Sequence, residues 1–80
     1  MDLEKLSSLS CTVNTWASFV LEHAITTNEY SCALKYYPNN RDFLLGLYKK
    51  EFHYLKKNIE EINENFKELE KFLNENNIKV

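Results

Sequence analysis

The sequence contains one glycine and one proline among 80 residues, far fewer turn formers than a β-sandwich or β-barrel needs. It also has no apolar run near the roughly 18 residues that read as a membrane-spanning helix, so we expect no membrane association. These absences favour a fold made of long helices with few connections.

Cysteine is scarce as well, and the spacing of Cys11 and Cys32 matches no zinc-binding pattern. The first residues, Met1–Lys5, lack the basic start and the apolar core of a signal peptide. We therefore expect free thiols and a cytoplasmic protein, in the host cell if the gene belongs to a phage. The net charge of −2 creates no field that would recruit nucleic acid or an acidic membrane.

Hydrophobic residues make up 44% of the chain and aromatic residues 14%, which indicates a folded protein rather than a disordered one. A chain of this length forms one domain at most, here residues 1–80. So small a domain buries only about 60% of its unfolded surface, and association is a common way to stabilise it.

The first segment carries a stripe of apolar residues at steps of mostly three and four, which predicts a helix over about residues 2–27. Asp2 is the expected N-cap of this helix, and Thr26-Thr27-Asn28 is its expected end. The stripe consists of Leu3, Leu6, Leu9, Val13, Trp16, Ala17, Val20, Leu21 and Ala24.

Residues 28–41 are ambiguous, because their aromatic content suits either a short helix or an extended loop. We favour a short helix up to Tyr37, where Pro38 disfavours helical angles and predicts a break. A turn then leads to an N-cap at Asn40 or Asp42.

The third segment has the most regular pattern and predicts one long helix over about residues 42–76. Its apolar residues alternate steps of three and four through four heptads without a polar interruption, as in a coiled coil. Row a consists of Leu45, Phe52, Ile59, Phe66 and Leu73, and row d of Tyr48, Leu55, Ile62 and Leu69.

The predicted fold class is therefore all-α: a helical hairpin, with or without a short middle helix. Because the first helix is predicted to be shorter than the long one, part of the long helix stays uncovered unless the middle segment covers it. We expect a protein partner to bind along Tyr48, Phe52, Leu55, Ile59, Ile62, Phe66, Leu69 and Leu73.

Charge along the long helix suggests what that partner is. The first half is basic and the second half acidic, which opposes the helix dipole. An antiparallel homodimer would place opposite charges together in a four-helix bundle, with Ile59 facing Ile62 of the second copy and Lys49 near its Glu70. The alternatives are a self-contained monomer and a complex with a different protein.

Two further surfaces are candidates. An aromatic patch would serve as a binding hot spot or else cap the end of the bundle; it comprises Tyr30, Tyr36, Tyr37 and Phe43. A basic patch would contact nucleic acid or else form a solvated face; it comprises Lys49, Lys50, His53, Lys56 and Lys57. We favour the solvated face, because the patch has no Arg for base recognition and precedes a Glu-rich stretch.

We find no residues in a pattern that indicates catalysis, a metal or a cofactor. Glu51 and His53 are two residues apart and point in different directions on a helix, and no Gly-rich phosphate loop occurs. We therefore expect a non-catalytic interaction module that acts by helix-bundle association. Alternative functions are a phage or mobile-element inhibitor resembling an antitoxin, an assembly or secretion chaperone, and a nucleic-acid-associated regulator.

Overall fold

The computed structural model describes residues 1–79, which form two long helices joined by a short turn. Helix α1 spans Leu3–Tyr36, a 3-10 turn spans Pro38–Asn40, and helix α2 spans Arg41–Glu75. The all-α class and the hairpin layout agree with the prediction. Within these residues, no helix is both long and apolar enough to span a membrane. The sequence also predicts a frayed end over Ile78-Lys79-Val80, of which Val80 lies outside the described residues.

Helix α1 begins where the sequence predicts. The side chain of Asp2 accepts a hydrogen bond of 3.0 Å from the backbone N–H of Lys5. This bond satisfies one of the four N–H groups that a helix start leaves without a partner.

The predicted end of the first helix at Thr26-Thr27-Asn28 is wrong, because α1 continues without a break to Tyr36. The hydroxyls of Thr26 and Thr27 donate to the carbonyls of Glu22 and His23 at 3.1 and 2.7 Å. Threonines in this arrangement are compatible with a helix interior. The favoured helical conformation of the middle segment is confirmed, but as the last turns of α1 rather than as a separate element.

The inward side of α1 explains why the helix continues. Its residues follow alternating steps of three and four from one end to the other, and all are buried or half-buried. The polar side chains of His23 and Thr27 occupy two of these positions and conceal the regularity. The inward row consists of Leu6, Leu9, Val13, Trp16, Val20, His23, Thr27, Tyr30 and Leu34.

The break at Pro38 is confirmed. Tyr37 adopts the non-helical angles φ −128° and ψ 67°, while its N–H still donates to the carbonyl of Ala33 at 2.8 Å. The N–H of Asn40 donates to the carbonyl of Tyr37 at 3.1 Å and closes the turn. Asn40 occupies the N-cap position of α2 but forms no side-chain capping bond.

Helix α2 agrees with the predicted helix to within one residue at each end. Asn77 adopts a positive φ of 58° after the last turn. The N–H of Asn77 donates to the carbonyl of Asn74 at 3.1 Å, and that of Ile78 to the carbonyl of Leu73 at 2.9 Å. These two bonds define a Schellman motif, with asparagine in the position that glycine usually occupies.

The two helices have nearly equal lengths, 34 and 35 residues. The hairpin measures 58 × 17 × 14 Å, so it is an elongated slab two helices wide. The predicted shortfall in the length of α1 is therefore wrong, since the last turns of α1 cover the start of α2. Yet Phe72 is the only buried hydrophobic residue among residues 1–79, with 6% of its surface exposed.

Candidate interaction surface

Helix α2 turns only part of its apolar surface toward α1. Row d is half-buried on the side that faces α1. The remainder of the side of α2 that faces α1 is formed by four residues, each three positions after a member of row d. Three of these four residues are polar. The four are Glu51, Asn58, Asn65 and Phe72, which are half-buried or buried.

Row a points sideways and remains uncovered. Phe52 is 51% exposed, Ile59 40% and Phe66 55%, and only the terminal members Leu45 and Leu73 are half-buried. The predicted binding residues therefore divide into two groups. Tyr48, Leu55, Ile62 and Leu69 pack within the hairpin, whereas Phe52, Ile59 and Phe66, with Leu73 at the end, form an accessible strip.

A polar contact between the helices shows how they are aligned. Nδ1 of His23 lies 2.7 Å from Oε2 of Glu51, and the ring centroids of His23 and Tyr54 are 5.6 Å apart. Near the open end, Nζ of Lys5 lies 5.6 Å from the ring centroid of Phe72. Between these two contacts the antiparallel helices stay in step, because both follow a seven-residue repeat. Ala24 therefore lies level with Phe52.

The same repeat places a small residue of α1 beside four of the five members of row a. Ala17 is level with Ile59, and Ser10 and Ser31 are level with Phe66 and Leu45. Among residues 1–79, one broad side of the slab therefore has no charged residue along it, and we call it the uncharged face. Its ten residues are Leu3, Ser10, Ala17, Ala24, Ser31, Leu45, Phe52, Ile59, Phe66 and Leu73.

The opposite broad side is different in composition, and we call it the charged face. Lys5, Glu68 and Glu75 line a shallow groove at its open end. Phe19 and Tyr54 are each 42% exposed on this side, so the charged face is not wholly polar. The contrast between the faces lies in charge, which one face carries and the other lacks.

The basic patch lies beside the uncharged face rather than on it. Lys49 and Lys56 each follow a member of row a by four residues, so they border that face, as Glu70 does farther along. Lys50, Lys57 and His53 lie farther around the helix. All five residues of the predicted basic patch are exposed.

The predicted aromatic patch is only partly assembled. Tyr36, Tyr37 and Phe43 gather around the turn and are 69%, 62% and 70% exposed. Tyr30 does not belong with them, because it is half-buried in the inward row of α1. The patch is therefore a three-residue tip of the hairpin.

The pair of His23 and Glu51 was not found from the sequence, although both residues occupy inward positions of their helices. Because an ionised carboxylate only accepts hydrogen bonds, Nδ1–H of His23 is the donor. No cluster of three or more His, Cys, Asp or Glu residues that could hold a metal occurs within residues 1–79. Cys11 and Cys32 are exposed free thiols on α1.

Comparison of the chain with protein-family models, with curated proteins and with solved structures gave no match.

Proposed function

We propose that this protein is a non-catalytic interaction module that binds another protein chain by completing a helical bundle on its uncharged face. The observation that supports this proposal is the exposure of Phe52, Ile59 and Phe66 at the centre of a face without charge. The strip from Leu45 to Leu73 is about 42 Å long at 1.5 Å per residue. A strip of this length matches a second helix rather than a small molecule.

The hairpin buries little apolar surface by itself. Fully burying a Phe or Ile side chain contributes about 1.5–3 kcal/mol, so covering three half-exposed ones contributes several kcal/mol. A domain of this size has little stability to spare without such a contribution. Covering the uncharged face would therefore stabilise the hairpin itself as well as the complex.

The composition of the uncharged face also suits helix packing. Large side chains on α2 alternate across the face with Ser and Ala on α1, so the backbone of an added helix can approach α1 closely. Alternation of large and small residues is the pattern that lets layers of a bundle interdigitate. The basic patch and the acidic end of α2, by contrast, border this face or lie outside it and are exposed.

The test is sedimentation of the labelled protein, first in buffer at micromolar concentration and then in a lysate of the source cells. We expect the wild-type protein to sediment as a species heavier than the 9.5 kDa chain in at least one of these conditions. The double variant Phe52→Glu/Phe66→Glu should sediment as a single chain in both, since two charges would then lie on the strip.

A matched control is available on the outer side of α1. Ile25 is 50% exposed, almost the same as Phe52, but it lies away from the uncharged face. The variant Ile25→Glu should therefore sediment like the wild type. A wild-type protein that sediments as a single chain in both buffer and lysate would contradict the proposed function.

A further inference from the structure

We infer that the partner is a second copy of this chain, bound with its α2 antiparallel to α2 of the first copy and with a two-fold axis through Ile59. This inference rests on the proposed function and names the occupant of the uncharged face. Three independent properties of that face support it: the order of side chains in row a, the charges that border the row, and the size of residues on α1.

Row a has the same order of side chains in both directions. From either end it runs Leu, Phe, Ile, Phe, Leu, with each member seven positions from the next. When two such rows lie antiparallel about Ile59, each Phe52 meets Phe66 of the second copy and each Leu45 meets its Leu73. The central contact is Ile59 against itself. A row that binds an unrelated helix has no reason to be symmetric.

The residues that border row a are complementary under the same symmetry. Lys49 lies level with Glu70 of the second copy, and Lys56 lies level with its Asn63, so no like charges meet. The arrangement contains two Lys49–Glu70 pairs, one on each side of the axis. Within residues 1–79, neither Lys49 nor Glu70 forms an ion pair inside the chain.

This pairing differs from the register expected from the sequence alone, in which Ile59 faces Ile62 of the second copy. Ile62 belongs to row d and is half-buried toward α1, so it is not free to meet a partner. The Lys49–Glu70 contact is kept in the new register. Only the apolar contacts differ. Row a meets row d of the second copy in the register expected from the sequence, and it meets row a of the second copy in this one.

The α1 helices meet through small residues. Ala17 lies against Ala17 of the second copy, and Ala24 lies against its Ser10, so the two α1 backbones can approach closely. The broad side of the slab, measured between Cα atoms, is 58 by 17 Å, so the outline available to a partner is about 1,000 Å². A stable interface of standard size needs about 800 Å² from each partner.

A second copy could also bind with the two α2 helices on the diagonal of the bundle, each lying over the partner's α1. Row a would then meet Ser and Ala, which also packs well. That arrangement leaves Lys49 beside the partner's Asn28 and gives it no opposite charge. If the axes of neighbouring helices lie 8–10 Å apart, the two α2 axes are about 13 Å apart across the diagonal. The two Ile59 residues then lie on helices that do not touch.

A disulfide at position 59 distinguishes these arrangements. In a Cys11→Ser/Cys32→Ser background, Ile59→Cys should be oxidised by dissolved oxygen almost completely to a disulfide-linked dimer at micromolar concentration. The two Ile59 positions meet in this arrangement, and a disulfide requires Cα atoms within about 7 Å. The control Ile25→Cys in the same background should remain reduced or link slowly. A mixture of Phe52→Cys chains and Phe66→Cys chains should link preferentially to each other.

Exchanging charges tests the border contacts. Lys49→Glu and Glu70→Lys should each weaken dimerisation roughly tenfold at low salt, because two attractive pairs become two repulsive ones. The double variant should recover an affinity close to the wild type, and all differences should shrink as salt rises.

The outcomes separate this inference from the proposed function. A dimer in buffer that links through position 59 and recovers in the double charge variant supports both. A dimer that is lost in Phe52→Glu/Phe66→Glu but never links through position 59 overturns the antiparallel arrangement and leaves the proposed function intact. A protein that sediments as a single chain in buffer and becomes heavier only in lysate overturns the second copy as partner. A protein that sediments as a single chain in both conditions overturns this inference and the proposed function together.

Discussion

At two positions of this hairpin, Gly46 and Asn77, the effect of a substitution depends mainly on backbone conformation. Gly46 is an example. In the structure, a Cβ atom added at Gly46 would meet nothing within 4 Å, so no close approach requires glycine there.

We predict that Gly46→Ala stabilises the protein by about 1 kcal/mol, the difference in helix propensity between the two residues. Gly46 lies in the second turn of α2 and has a helical φ, so alanine fits the native backbone without strain. Urea denaturation followed by circular dichroism measures the change. A lower midpoint in the variant would mean that position 46 has a contact that the hairpin does not show.

Asn77 is the opposite case, since its backbone conformation is demanding. Its φ of 58° favours glycine, tolerates asparagine and disfavours alanine. We predict that Asn77→Gly is neutral or slightly stabilising and that Asn77→Ala destabilises the end of α2 by about 1 kcal/mol.

Hydrogen exchange at the amide of Ile78 checks this prediction, because that amide donates to the carbonyl of Leu73 in the Schellman motif. Protection of the amide should fall in Asn77→Ala and persist in Asn77→Gly. Equal protection in the two variants would show that the motif does not control the end of the helix.

At the scale of helices, the sequence predicted α2 well and α1 only in part. Helix α2 has apolar side chains at every heptad position of rows a and d, so its extent is evident. In α1 the repeat passes through His23 and Thr27, whose polarity hides two inward positions. Reading the repeat with these residues included would have extended α1 to Leu34 and placed Tyr30 inside.

The rotation of α2 could not be predicted from its own pattern, because rows a and d are equally apolar. Which row faces α1 depends on the fit between two helices. The contact of His23 with Glu51 accompanies the rotation that is observed, since it brings Glu51 inward and turns Phe52 outward. The exposed strip is therefore a property of the pair of helices.

We predict that removing one member of the His23–Glu51 pair lowers the stability of the hairpin and that removing both members does not. His23→Leu should destabilise the hairpin by about 1–2 kcal/mol, because it leaves a largely covered carboxylate without its donor. The double variant His23→Leu/Glu51→Leu should recover that loss or exceed the wild type, since two leucines replace a desolvated polar pair. Urea denaturation of the two single variants and the double variant measures the coupling.

At the scale of the whole molecule, the long apolar helix that needs cover was predicted from the sequence, and the partly exposed row a is consistent with it. The location of the exposed surface was predicted only in part, because half of the predicted binding residues lie within the hairpin. The uncharged face also includes Ala17 and Ala24, which the apolar stripe of the first helix contained, and Ser10 and Ser31, which no pattern in α1 singles out. Their importance appears only when they lie beside row a.

We predict that the stability of the wild-type protein rises with its concentration. A chain that binds a partner only when folded is stabilised by mass action, so both the urea midpoint and the melting temperature should increase between low and high micromolar protein. The variant Ile59→Glu should show no such dependence, while Ile25→Glu should keep it. Midpoints of the wild type that do not change with concentration would argue against self-association.

The single proline also limits the shapes that the chain can take. Pro38 has no N–H to donate to Leu34, and its ring would collide with the carbonyl there, so α1 and α2 cannot merge into one straight rod of more than 70 residues. With alanine at this position, the hinge could straighten and two opened chains could exchange helices, which light scattering would detect as elongated species. Pro38 thus disfavours swapping and keeps each molecule's two helices on each other.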